Sequence, residues 1–491
     1  MGSQAGGGGN FNPYSKTVVT PYEGIINENY FKIMQRETQL TANLEIFKHI
    51  TKNPFNKQLE YFIGMLVKSK YDGVGRKLDE LDISIALDIS GSMSNGINRK
   101  PTFKELLQNP NEHNNFEYSN KDRLTIAKEC LFKLIDSMND KMNMALTTFD
   151  TQSKVIIPLS PKKEIKSISH LINNIKTEGG TDLSVALKGA ADCLLESKAK
   201  FKRVIIITDG WNDDRYFMYL ARAYNKKDIL ITVLSIDSSS NSSIYEKLSE
   251  LKGCNYYFIL NERDIEKYLI QQLNYICFPA LYDMIIKYKS DDADLIRAIG
   301  CGQENEKSKN VESAVSENVL INTKTIFPSD IKQLNGDYYQ EGGLMLLKIK
   351  PRSLDKNCKI NIKLEYTEIE GNKFEKNFDI EFTTEEIKNG VESSLMKKGM
   401  AIYYYNKFFR KMKKFLNKNV EITNSGPSDN KMGEKPAKKY FDFLSRKNEN
   451  YDKIKIYFES NYENDLNKCQ KEYYIKNLDI IYDDVLSAYK N

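Results

Sequence analysis

Five oxygen-bearing side chains in three short segments carry the chemistry this chain can be expected to do. Asp88, Ser90 and Ser92 place one carboxylate and two hydroxyls within five residues, and Gly91 lets the backbone turn tightly enough for them to converge. Thr181 follows Gly179-Gly180, and Asp209 lies between Thr208 and Gly210. A hard divalent cation wants oxygen ligands, and hydroxyls with a few carboxylates supply them without imidazole or thiolate. Mg²⁺ in particular keeps some waters and accepts an incomplete protein shell. A shell of Ser90, Ser92 and Thr181, with Asp88 and Asp209 as its only carboxylates, leaves the coordination open for an acidic group from outside to complete.

Taken singly, each segment also has a plain structural use. Asp and Ser are good N-caps, so Asp88 to Ser92 fits a capped turn before a helix. Thr181 fits the cap of a helix from Asp182 onward, and Asp209-Gly210 fits a turn. What joins the three is their place along the chain. Leu81 to Leu87 is mostly apolar and β-branched, as in a central strand covered on both faces. From Asp82 to about Cys277 apolar strands alternate with amphipathic helices, with strands expected at 143–149, 155–157, 203–208, 229–236 and 256–260. Helices are expected at 121–138, 163–175, 182–197, 215–224, 243–252 and 264–277. This alternation predicts an α/β fold, a doubly wound and mostly parallel sheet flanked by helices. Ligands collect outside the carboxyl ends of such strands, which puts all three segments on one rim.

These segments resemble the metal-ion-dependent adhesion site of a von Willebrand factor type A domain. Asp88, Ser90 and Ser92 match its Asp-x-Ser-x-Ser, Thr181 its threonine and Asp209 its later aspartate. The resemblance covers about Leu78 to Pro279 and implies a Rossmann-like fold and an intact site. It also implies that the serines and the threonine touch the metal while the aspartates act mainly through water. Mg²⁺ is the expected cation, with Ca²⁺ or Mn²⁺ as alternatives. The polar excursion from Asn95 to Asn120 is long for that family and is expected to cover or extend the rim. Asn212, Asp213 and Asp214 add acidity there but read as a solvated loop and helix start.

Outside this region the pattern changes. Residues 1–10 are a Gly-rich flexible tail. Lys16 to Thr20 and Leu59 to Lys68 look like strands, and Glu37 to Thr51 reads as helix. Beyond Pro279 the period becomes alternating, with about six strands (282–288, 295–299, 319–326, 344–349, 360–366 and 374–382) separated by polar turns, an antiparallel sandwich. Strands on both sides of a type A domain resemble the layout of the calcium-activated chloride channel and inter-alpha-trypsin inhibitor heavy chain groups. That likeness implies one sandwich built from residues 11–77 and 281–383, with residues 78–280 as an insertion. Residues 384–491 return to helix (391–416 and segments from Lys439) around a Pro, Gly and Ser loop. Arg410-Lys411-Met412-Lys413-Lys414, among Tyr403, Tyr404, Phe408, Phe409 and Phe415, reads as a helix with one packed and one solvated face.

Composition narrows the function classes. A net charge of +5 over 491 residues does not call for nucleic acid, and membrane contact is expected to be peripheral at most. No apolar run is long enough for a membrane span, and the N-terminus lacks the apolar core of a secretory signal. Gly2 opens a partial myristoylation signal, but Gly6 stands where Ser or Thr belongs. Seven scattered cysteines, odd in number and never in a Cys-x-x-Cys pair, suggest reduced thiols and a cytoplasmic location. His49, His113 and His170 have no zinc-hydrolase spacing, and phosphate-binding loops and nucleophile elbows are missing from the sequence. The expected function is therefore a non-enzymatic module whose cation captures an Asp or Glu of a partner protein. The alternative is a component of a large assembly whose metal site mainly stabilises the fold.

Overall fold

Leu81–Asp88 is buried along its whole length, because it is the inner strand of a six-stranded sheet covered on both faces. The computed structural model describes residues 29–34, 40–75, 78–99, 117–210, 215–236, 242–259, 262–300, 318–409 and 449–462, with 471, 474, 475, 478 and 479. Across the sheet the order is Asn255–Ile259, Ile229–Ile236, Phe201–Thr208, Leu81–Asp88, Asn143–Phe149 and Ser153–Pro161. Every pairing is parallel except the last, an antiparallel edge. The chain runs outward from Leu81–Asp88 in one direction, then crosses back to Phe201–Thr208 on its other side. The switch point of this doubly wound sheet therefore lies between those two strands, at their carboxyl ends.

Strand periodicity divides the core in two. Ile83, Ile85, Leu87, Ile205 and Ile207 pack with Leu124, Ala127, Leu131 and Leu134 of the Arg123–Ser137 helix. Those helical positions recur at three and four residues, one apolar stripe. Ala86, Val204 and Ile206 face the other way, onto Leu183, Ala186, Leu187 and Ala190 of the Leu183–Asp192 helix and Phe217 and Ala221 of Arg215–Asn225. Each fully buried Leu or Ile here contributes about 1.5–3 kcal/mol of transfer free energy.

The remaining strands make a second layer system. Ala42–Lys52 and Leu59–Ser69 form a hairpin whose second strand pairs with Leu344–Pro351, and Ala293–Ile299 completes that sheet. It faces a second antiparallel sheet, ordered Asn318–Ile326, Leu281–Lys289, Cys358–Thr367 and Lys373–Phe382. Ile63, Met65, Leu347, Ile286, Ile362 and Leu364 fill the space between them. The chain thus leaves one sheet at Ser69 and enters the opposing one at Leu281, with the parallel sheet between in sequence. The stretch predicted as helix over Glu37 to Thr51 is the strand Ala42–Lys52. Its Leu44 and Ile50 enter the sandwich core while Phe47 faces the opposite side, and pairing with Leu59–Ser69 outweighs local helix propensity.

Five short strands were not anticipated: Tyr30–Ile33, Ile331–Leu334 and Asp337–Glu341 form a small antiparallel sheet, and Gly96–Arg99 pairs with Glu117–Asp122, whose last two residues were expected in a helix that begins at Arg123. Helical residues 397–409 and 449–461 cover the outer face of the first sandwich sheet, where Phe62, Leu66, Leu344 and Leu346 meet Met400, Tyr404, Phe408 and Phe458. Leu59–Ser69 is consequently buried on both sides, and Gly64 leaves room for Met396, whose Sδ would lie 2.0 Å from an added Cβ. The predicted strand at Lys16 to Thr20, Gly2, Asn212 to Asp214 and the basic run Arg410 to Lys414 lie outside the described residues. Among the described residues no helix is long and apolar enough to cross a membrane.

Candidate metal centre

Asp88 is the last residue of its strand and is fully buried. Its Oδ1 accepts the Ser90 backbone N–H at 2.7 Å, and its Oδ2 accepts the Thr208 hydroxyl at 2.6 Å. The second bond extends the strand register by one step beyond the Leu87 and Ile207 pair. Burial raises the Asp88 carboxyl pKa above its usual range; the hydrogen bonds from Thr208 and Ser90 oppose this, while the charge of Asp209 adds to it.

Beyond Asp88 the chain forms a short 3-10 turn, Gly91–Ser94. Ser90 occupies its cap position, yet its side chain caps nothing. Instead the Ser90 and Ser92 hydroxyls lie 3.0 Å apart, and Ser92 Oγ donates to Asp209 Oδ1 at 2.7 Å. The helix beginning at Leu183 is likewise capped by Asp182, which accepts the Ser184 and Val185 N–H groups at 2.9 and 3.2 Å. Capping is therefore not the role of Ser90 or Thr181.

Thr181 belongs to a loop strapped to the end of the central strand. Glu178 N–H donates to Ile89 O at 2.6 Å, Gly91 N–H to Gly179 O at 3.2 Å, and Asp182 N–H to Asp150 O at 2.8 Å. Gly179 has φ +69°, and a Cβ there would lie 2.2 Å from Asp150 Oδ2, so glycine is required twice over. A Cβ on Gly210 would come within 2.9 Å of Thr181 Oγ1, which places that hydroxyl against the Asp209 loop. Asp88, Ser90, Ser92 and Asp209 thus meet at the switch-point rim, and the Thr181 hydroxyl lies against Gly210, the neighbour of Asp209.

Sequence reasoning assigned no role to three further residues. Thr208 was visible in Thr208-Asp209-Gly210 but read only as strand. Asp150 directly follows the neighbouring strand Asn143–Phe149, where nothing in its local sequence marked it. Arg123 looked like an ordinary helix start, yet its Nη1 donates to Asp209 Oδ2, with the carboxylate side chain wholly buried and the Arg side chain only 10% exposed. Strand parity explains the pairing: Asp209 follows Ile205 and Ile207 in facing the Arg123–Ser137 helix. The long polar excursion begins and ends as a two-stranded ladder, Gly96–Arg99 with Glu117–Asp122. At its base Arg123 N–H donates to Asn95 O at 3.0 Å, setting Arg123 beside the rim.

The donor set fits a small hard cation. An octahedral ion with oxygens at about 2.0–2.1 Å sets neighbouring ligands about 2.9 Å apart. Ser90 Oγ, Ser92 Oγ and Asp209 Oδ1, linked by hydrogen bonds of 3.0 and 2.7 Å, form a contiguous run of oxygens close enough together to face one such ion. Among the described residues no group of three or more His, Cys, Asp or Glu is placed to hold a metal ion, so any cation here would rest on the hydroxyls.

Residues 82–272 match the family model of the von Willebrand factor type A domain, so the chain carries such a domain with its Rossmann-like fold. The matched domains serve mostly as protein–protein interaction modules, and no catalytic family is indicated. Sporozoite surface protein 2 of Plasmodium yoelii yoelii is 27% identical over 193 residues, 36% of this chain and 20% of that protein. The chain thus spans a fifth of that relative's length. Among solved structures, a von Willebrand factor type A protein from Catenulispora acidiphila is 11% identical, with 80% of this chain and 84% of that one covered and a TM-score of 0.43. The ArnB paralog VWA2 from Sulfolobus acidocaldarius is also 11% identical, with 78% and 87% covered and a TM-score of 0.37.

Proposed function

We propose that this von Willebrand factor type A domain captures a partner protein through a divalent cation held by Ser90, Ser92 and Thr181, with Asp88 and Asp209 completing its surroundings. Mg²⁺ is the first choice and Ca²⁺ or Mn²⁺ the alternatives. The observation that carries this reading is the convergence of Ser90 Oγ, Ser92 Oγ and Asp209 Oδ1 in one hydrogen-bonded run of oxygens on the switch-point rim. The cation would act as a Lewis acid for a partner's Asp or Glu. This chain's part is to hold neutral hydroxyls where the visitor arrives and to keep Asp88 buried beneath them.

The surface beside the rim supports a protein partner. Tyr216 and Tyr219, on the helix that follows Asp209, are 57% and 65% exposed and stack on each other at 6.0 Å. Tyrosines of this kind are common anchors of protein interfaces. We read the layout, a type A domain between strands of one sandwich, as similar to the calcium-activated chloride channel and inter-alpha-trypsin inhibitor heavy chain groups. Our reading assigns no nucleic acid, at most peripheral membrane contact, and a cytoplasmic compartment, the last resting on five free cysteines among the described residues.

Affinity capture with and without Mg²⁺, comparing wild type with Asp209→Ala, tests the proposal. Capture is expected to need Mg²⁺, to vanish in EDTA and to fall sharply in the variant. Unchanged capture in EDTA rejects the adhesion reading. If Ser90→Ala lowers stability while capture stays intact, the site serves the fold instead.

A further inference from the structure

We infer that Arg123 fixes the net charge of this centre, so that the loaded site stays positive and selects an anionic partner while holding its cation less tightly. The inference rests on the metal-centre reading above. Two buried carboxylates, Asp88 and Asp209, meet one buried guanidinium. Counting the two carboxylates that hydrogen-bond the serine loop, Asp88 and Asp209, together with Arg123, the empty centre carries one negative charge and the centre with a divalent cation one positive charge. Without Arg123 the loaded site is neutral, and a visiting carboxylate gains no net attraction.

The geometry keeps Arg123 in place. It is the first residue of its helix, beside the capping Asp122, which accepts Thr125 N–H at 2.6 Å. Its backbone N–H is bound to Asn95 O, one residue beyond the Gly91–Ser94 turn that carries Ser92. Its Nε is buried with no hydrogen-bond partner, so the Asp209 carboxylate, rather than a full set of neutral acceptors, seats the guanidinium. A buried charge held by one ionic partner is costly to leave behind, which argues for a fixed counter-charge. At protein-like dielectric a unit charge a few ångströms away changes ion affinity by about ten-fold or more.

The test uses the full chain as wild type, Arg123→Gln, Arg123→Met and Arg123→Lys. Calorimetry with Mg²⁺ alone reads cation affinity. Water-proton relaxation of the Mn²⁺-loaded chain titrated with acetate reads carboxylate capture, because an incoming carboxylate displaces metal-bound water. The Gln and Met variants are expected to bind Mg²⁺ about ten-fold more tightly and acetate about ten-fold more weakly, with Lys close to wild type. A side chain that merely competes with the cation would tighten Mg²⁺ but leave acetate unchanged, and that result overturns the inference. Equal or weaker Mg²⁺ binding in both neutral variants overturns it too. Wild type that binds no Mg²⁺ removes the metal-centre reading itself, and this inference with it. Two neutral variants of different chemistry guard against one failing to fold.

Discussion

Thr208 Oγ1 donates to Asp88 Oδ2 at 2.6 Å, closing the switch point between two strands 120 residues apart in the chain. Both side chains are buried, so this hydroxyl is, with Ser90, one of the donors that satisfy a carboxylate out of reach of water. Thr208→Val keeps the shape and deletes the donor. Urea unfolding without metal is expected to show a loss of about 1–3 kcal/mol, the range for a buried charged group deprived of a donor. A loss below about 0.5 kcal/mol would mean that the bond does not hold the strand ends together.

Gly210→Ala separates the proposed metal site from the fold. Its Cβ would meet Thr181 Oγ1, Cγ2 and Cβ at 2.9, 3.2 and 3.3 Å, so the whole Thr181 side chain must shift by a few tenths of an ångström. Metal-free stability is expected to fall by less than about 1 kcal/mol, while the Mg²⁺-induced rise in melting temperature shrinks markedly. A full-sized Mg²⁺ response would exclude Thr181 as a ligand.

Gly179→Ala should behave differently. Its φ of +69° and the 2.2 Å approach to Asp150 Oδ2 leave no unstrained solution. We expect at least about 1 kcal/mol of destabilisation together with a weaker Mg²⁺ response, since Gly179 O anchors the Gly91 N–H of the serine loop. Calorimetric melts with and without Mg²⁺ check both effects.

His49 offers a pH test away from the metal centre. It is 2% exposed, its Nδ1 accepts Ser393 N–H at 3.2 Å, and burial lowers its pKa to about 4 from an ordinary 6.5. The unfolded chain therefore binds the proton first. The contribution of His49 is fully present above about pH 6.5 and is lost as pH falls toward 4, by up to about 3 kcal/mol. His49→Gln can accept the same N–H without titrating, so its stability should decline less over that window. Parallel curves for the two proteins between pH 4 and 6.5 would contradict this.

The positions of most residues of the candidate centre were legible beforehand because they sit at strand and helix boundaries, where an apolar run gives way to polar residues. The Leu81 to Leu87 run, the two serines after Asp88 and the Gly-Gly-Thr-Asp loop all announced themselves in this way. The Ala42–Lys52 strand did not, since its pairing with Leu59–Ser69 and its burial between two layers depend on residues elsewhere. Thr208 and Arg123 were hidden for the same reason.

The sequence by itself determined the alternation of strands and helices, the oxygen-only character of the donor set and its position at strand ends, because periodicity and side-chain chemistry are local properties. Only the tertiary structure decided that Ser92 and Asp209 touch, that Asp182 rather than Thr181 caps its helix, and that Arg123 enters the centre. Those outcomes depend on strand order and facing. Crossing back over the sheet brings Asp209 next to Asp88, and the alternation of side chains turns it toward the helix that carries the arginine.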